Sequence, residues 1–476
     1  MRSPIPPLPP RKSQYGIDPS LVRRRVSELP GITSLLAKDL FPELPDVIMP
    51  GPGGIPAVRR AAEAALAAVD MARIQPGHTV NVLASHHGFT LLGGEPYAEM
   101  LKAIKDVIQS RTGCKSIRLR AGVGLRFRET EEYIRRFGLD RHFGDGKAIG
   151  IAPIDQAIPI ETEIGTLYGI KRAYDADWIV HAHNSDVREV HFHRQVDRAV
   201  KPFGMSYARI ETRSTYHQNL GPRAANFIAR AIFDSPFVQS KFAFACFLTM
   251  SPNGIVGVDA DRDLYALNDR ITRSGCSLYG RMMTLFGEID ECIVAVDFPC
   301  PVVYTFAAGV IYANFAGANT DLYDLELPLP AYTWYTEAFY GRAGRPLLPE
   351  IPSLNPAIRM CVHNYAWTGY PSAFFSEHIP TVIVGREQAE LFDRDAQNST
   401  YTRHARILDT TEEAMAYARK VAGTDKILIF DGAFGGINLS EPLADLLVKR
   451  APEVSRRVDQ ELLPKWLRQR GIPIAA

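Results

Sequence analysis

The chain has 476 residues, 46% of them hydrophobic and 22% charged, with 54 basic against 53 acidic side chains. That length and apolar content exclude a peptide-sized module or a disordered chain, and favour more than one core. The near-zero net charge excludes a global field that would draw the chain onto nucleic acid or an anionic membrane, so a small-molecule partner is expected.

The first residues, MRSPIPPLPPRKSQYG, carry prolines where a secretory signal would need an apolar run, so residues 1–30 read as a solvated Pro-rich tail. Beyond them, short β-branched runs alternate with helical patterns. Strands are predicted at 79–84, 116–121, 178–183, 292–298, 381–385 and 426–431, and helices at 57–71, 96–110, 130–137, 223–233 and 411–422. Residues 261–286 also read as helix. Such alternation predicts an α/β fold with mostly parallel sheets, in two domains with a ligand cleft between them. The expected domains are 31–286, catalytic, and 287–440, with a helical segment at 441–476 packing back on them. The six cysteines are scattered without C-x-x-C spacing, which reads as reduced thiols in a cytoplasmic protein. No apolar stretch is long and uninterrupted enough to predict a membrane span.

Five of the twelve histidines (His181, His183, His191, His193 and His217) fall between positions 181 and 217. In the strand WIVHAH, alternation puts His181 and His183 on one face. Two imidazoles so placed can share a metal, yet no acidic or cysteine spacing completes a familiar zinc motif, so hydrogen-bonded structural histidines are the expectation there.

The stretch GTLYGIKRAYDADWIVHAHNSDVREVHFHRQVDRAVKPFGMSYARIETRSTYH resembles the lactate racemase family, whose members use a nickel-pincer nucleotide. Glu189-Val190-His191-Phe192 is followed ten residues after the histidine by Lys201, and sixteen residues later by His217, which are the family's intervals. The resemblance implies that Lys201 binds the cofactor covalently and that His217 is the one protein ligand to nickel. It implies that His191 takes the proton from a substrate hydroxyl while hydride leaves the same carbon. It also implies enzymes elsewhere that make the cofactor.

Three places depart from the family pattern. Arg126, in Gly124-Leu125-Arg126-Phe127-Arg128, stands where the family has its second catalytic histidine. An arginine stays protonated and cannot act as a base, but it can hold a carboxylate. After the first strand, Ser85-His86-His87-Gly88-Phe89-Thr90 replaces an element whose arginine grips the substrate carboxylate. An exchange of roles is expected, with His86 or His87 as the second base and Arg126 or Arg128 gripping the anion. In the second domain Tyr304 keeps a family position while Thr305 and Ala308 do not, and Trp367 could cover the pocket. The expected activity is therefore that of an isomerase, racemising or epimerising a hydroxylated carbon of a 2-hydroxy acid or sugar acid other than lactate. The alternatives are a zinc or other divalent-metal hydrolase or lyase built on the histidine cluster, and a non-catalytic ligand-binding homologue.

Overall fold

The computed structural model describes residues 2–6, 24–49, 54–90, 94–123, 129–185, 198–218, 227–297, 315, 318–327, 354–365, 373–394, 400–431 and 433–474. At residues 87, 90, 129, 217, 218 and 373–375 it describes the backbone alone. The chain is a mixed α/β protein with two mostly parallel sheets. It forms two compact units, one spanning most of 45–275 and the other combining Met1–Leu44 with Cys276–Ala476. Residues 31–44 and 276–286, grouped with the first domain on sequence, thus lie with the second sheet.

The strands in chain order are β1 (Ile32–Leu36), β2 (Thr79–Ser85), β3 (Ser116–Gly122), β4 (Ala148–Ile151), β5 (Ala157–Thr162), β6 (Gly165–Ile170), β7 (Trp178–Asn184) and β8 (Phe242–Ser251). There follow β9 (Gly254–Asp261), β10 (Cys292–Val296), β11 (Ile358–His363), β12 (Thr381–Val384), β13 (Ala405–Leu408), β14 (Ile427–Phe430) and β15 (Gly436–Ser440).

The first unit holds a six-stranded sheet in the order β4-β3-β2-β7-β8-β9. Its strands are parallel except for the β8–β9 hairpin. Strand β2 is buried along nearly its whole length, as a central parallel strand covered on both faces must be. The helix Glu95–Thr112 follows it, with Pro96 in its first turn and left-handed Gly113 at its end, where the Gly113 N–H bonds the Gln109 carbonyl at 3.0 Å. The chain steps from β2 outward to β3 and β4, then returns to the other side of β2 for β7. That reversal opens a crevice beyond the carboxyl ends of β2 and β7, the position at which open α/β sheets bind ligands.

The second unit holds a seven-stranded sheet in the order β1-β15-β14-β10-β11-β12-β13. Strands β10 to β14 run parallel, and β15 runs antiparallel between β14 and the edge strand β1. Its order reverses between β10 and β14. The C-terminal helices Glu441–Arg457 and Leu463–Gln469 pack on this unit, with the Trp466 indole N–H donating to Asp321 at 2.9 Å. The Trp466 ring lies over Gly280, where a Cβ would sit 2.5 Å from it.

The solvated-tail expectation needs correction at residues 2–6 and 24–28. Val26 is fully buried, and Arg25 forms an ion pair with buried Asp297. Ile5 exchanges two backbone hydrogen bonds with the Asn438 side chain. The partners come from the second sheet, more than 250 residues away in the chain, where a local proline pattern carries no signal. Five cysteines, Cys114, Cys246, Cys276, Cys292 and Cys361, are free and buried. Among the described residues no helix is long and apolar enough to cross a membrane.

Candidate functional site

The crevice of the six-stranded sheet is bounded by Ser85 and His86 at the end of β2 and by Asn184 and Ser185 at the end of β7. Tyr97, from the helix Glu95–Thr112, ties the two strand ends together. Its hydroxyl accepts the Ser85 N–H at 3.1 Å and donates to the Ala182 carbonyl at 2.7 Å. Residues 198–207 run against the same edge. Ser206 Oγ lies 3.2 Å from Ser85 Oγ. The Ser206 carbonyl comes so near Gly122, at the end of β3, that a Cβ there would lie 2.4 Å from it. Gly88 is required for a similar reason, since a Cβ at that position would lie 2.3 Å from the Tyr97 ring.

His181 and His183 share one face, as alternation dictates, with ring centroids 5.7 Å apart. His181 Nε2 donates to the Ala199 carbonyl at 2.9 Å, and Nδ1 lies 3.0 Å from the Tyr207 hydroxyl, which also reaches the Leu83 carbonyl at 3.2 Å. Both ring nitrogens are therefore engaged. Burial pushes its pKa down to about 3, so the ring is neutral. His183 Nδ1 accepts the Asn184 N–H at 2.8 Å. Burial first, then the positive charges of Arg198 and Lys201, push its pKa well below the usual histidine value. These are structural histidines. Among the described residues no trio of His, Cys, Asp or Glu is arranged to hold a metal.

Lys201 begins the short helix Lys201–Gly204 and is only 5% exposed. Lys201 and Arg198 both lie within electrostatic reach of His183, near the carboxyl end of β7. Arg198 is itself buried, and burial pushes its guanidinium down to about 10. Arg213, from the helix Ile210–Gln218, is also pushed down to about 10 by burial, and donates to the Val123 carbonyl at 3.4 Å just beyond β3.

The helix that begins at Lys201 packs against the helix that contains position 217. The contact is made by Gly204, where a Cβ would lie 2.7 Å from the Tyr216 ring. The backbone of His217 lies at the end of that second helix; its side chain is outside the described residues. His86 is buried, 6.2 Å from the Tyr133 ring between centroids, next to the stacked Phe89, Tyr133 and Phe137. At His87 only the backbone is described. His191, Arg126, Arg128, Tyr304 and Trp367 lie outside the described residues.

Sequence reasoning missed Tyr97, Arg198, Arg213 and Ser206. Arg198 stands three positions before Lys201, but nothing local distinguishes it from a surface arginine. Glycines 88, 122 and 204 were the one legible signal, because each marks a close approach that a side chain would block.

No family model matches the chain, and no curated protein matches it. Among solved structures it is similar to the lactate racemase apoprotein from Thermoanaerobacterium thermosaccharolyticum, at 14% identity over 79% of this chain and 91% of that chain, with a TM-score of 0.39. At that level of likeness the site rests on its own side chains.

Proposed function

We propose that the chain is an isomerase, a racemase or epimerase acting on a hydroxylated carbon of a 2-hydroxy acid or sugar acid other than lactate, with a nickel-pincer nucleotide attached through Lys201. The observation that supports this reading is that Lys201, only 5% exposed, lies within electrostatic reach of His183 near the carboxyl end of β7, as does Arg198. The residues present fit such a group: a lysine amine can form a covalent link, and the guanidinium groups of Arg198 and Arg213 would suit a nucleotide phosphate. When bound, a cofactor of this kind accepts a hydride from the substrate carbon and returns it to either face.

The chain's own groups would do the rest. His217 would supply one imidazole to the nickel, and His191 would take and return the hydroxyl proton, for which an imidazole near neutrality is suited in both directions. His86 or His87 would serve the opposite face. Arg126 or Arg128 would grip the substrate carboxylate bidentately, while Tyr304 and Trp367 would line and cover the substrate. The zinc alternative loses its most regular motif, because both nitrogens of His181 are already engaged.

The deciding experiment is intact mass with metal analysis, on protein co-produced with enzymes that make the cofactor. The expected result is a mass increment accompanied by nickel, both absent from Lys201→Ala. Unmodified protein carrying stoichiometric zinc would overturn the reading, as would an increment that persists in Lys201→Ala.

A further inference from the structure

The order of the seven-stranded sheet reverses between β10 and β14, and Asp297 and Asp431 stand at the carboxyl ends of those two strands, both fully buried. By the rule for open α/β sheets a ligand belongs there. Residues 24–28 of the chain itself fill the place. The Val26 N–H donates to Asp297 Oδ2 at 2.8 Å, and Arg25 Nε pairs with the same oxygen at 3.2 Å. The Arg25 guanidinium also donates to the main-chain carbonyls of Asp297 and of Asp431, the latter at 3.2 Å. Asn364, just beyond β11, donates to Asp297 Oδ1 at 3.0 Å and to the Arg24 carbonyl at 2.9 Å. Thr411 donates to that same carbonyl at 2.8 Å.

Two buried carboxyl groups thus face one guanidinium. Asp297 takes the ion pair and two hydrogen bonds. Asp431 receives neutral donors, the Ala433 N–H at 3.0 Å and Asn438 Nδ2 at 2.6 Å. With both carboxyls ionised the sealed cluster would hold a net negative charge away from water, which is costly.

We propose that residues 24–28 are a proton-controlled strap over this crevice, closed while the Asp297–Asp431 pair keeps one proton and released when the pair loses it. Burial pushes the Asp431 carboxyl up to about 7, with the Asp297 carboxylate acting in the same direction and Asn438, Ala433 and Arg25 opposing. Among the described residues, the other titratable groups around the strap are Tyr365, whose ring lies 5.4 Å from the Arg25 guanidinium carbon, Glu28, which accepts the Arg25 N–H at 3.3 Å, and Glu412, paired with Arg24 at 2.6 Å. An open strap would return Asp431 to water and to an ordinary carboxyl pKa. The closed form therefore binds the proton more tightly, and closure weakens as pH rises from the ordinary carboxyl range to about 7, then levels off. Release would bare the crevice to a ligand.

Hydrogen exchange of the full chain, read by mass spectrometry on the peptide covering 24–29 and corrected for the intrinsic pH dependence of exchange, tests this. Protection is expected to fall by about tenfold or more between pH 5.5 and 7.5 and then flatten, with peptides from β2 unchanged. Asp431→Asn should abolish the step. Asp297→Asn should move it to lower pH, because Arg25 would then face Asp431 alone. Flat corrected protection in the wild type overturns the proposal, as does a step that survives in Asp431→Asn. If that variant does not fold, an unshifted step in Asp297→Asn has the same force.

Discussion

The Tyr97 hydroxyl donates to the Ala182 carbonyl at 2.7 Å, and the two residues lie 85 positions apart in the chain. Through the same oxygen Tyr97 holds the Ser85 N–H, so one phenol closes the crevice between β2 and β7 from below. Tyr97→Phe keeps the ring contacts with Phe89 but leaves a buried N–H and a buried carbonyl short of a partner. A loss of about 1–3 kcal/mol in urea unfolding is expected. Stability equal to wild type would show that these groups find other partners.

Gly204 sets the distance between the Lys201 helix and the helix that carries His217. In Gly204→Ala the added methyl would meet the Tyr216 ring at 2.7 Å and the backbone of Ala229 at 3.3 Å. Overpacking of this kind costs about 1–3 kcal/mol, and the proposed modification at Lys201 should fall with it. Gly77→Ala, where a Cβ meets nothing within 4 Å, is the control and should be near neutral.

Three buried histidines make stability depend on pH in a defined direction. His181 and His363 are each pushed down to about 3 by burial, and His183 is pushed well below its ordinary value. His363 is held neutral between the Tyr401 hydroxyl and the Cys361 thiol, whose sulfur is 3.4 Å away. The unfolded chain binds protons at these sites below pH 6.5 and the folded chain does not. Stability is therefore fully present above 6.5 and is lost as pH falls toward 3, by about 1.4 kcal/mol per pH unit for each histidine. Asp431 and Asp297, both raised by burial, act in the opposite sense above the ordinary carboxyl range, but they are two groups against three. Urea midpoints at pH 7 and pH 5 should differ clearly, with the lower one at pH 5; equal midpoints would contradict the burial of these rings.

Arg25→Ala would strand the fully buried Asp297 carboxylate without its cation. Removal of one partner from a buried ion pair costs about 3–5 kcal/mol, and a loss of that size is expected in denaturant unfolding. A loss below about 1 kcal/mol would mean that residues 24–28 stand outside the cooperative unit.

The sequence by itself placed strands β2, β3, β7, β10, β12 and β14 and the helices near them, because continuous apolar runs and 3.6-residue periodicity are local properties. It put His181 and His183 on one face for the same reason, and it chose the fold class through the alternation of strand and helix. It did not reveal β8 and β9 as an antiparallel hairpin, nor β15 as an antiparallel strand between β14 and the edge strand β1, since pairing depends on which edge is free. Asp297 and Asp431 each follow an apolar strand, VAVD and LIFD, and that shared pattern was visible. Their meeting with Arg25 was not. The tertiary structure decided that both nitrogens of His181 have neighbours, that Lys201 is buried, and that the first thirty residues include buried ones. In each case the deciding partner is brought near by chain topology, and hydrogen bonding and desolvation act on distance in space, to which sequence periodicity is blind.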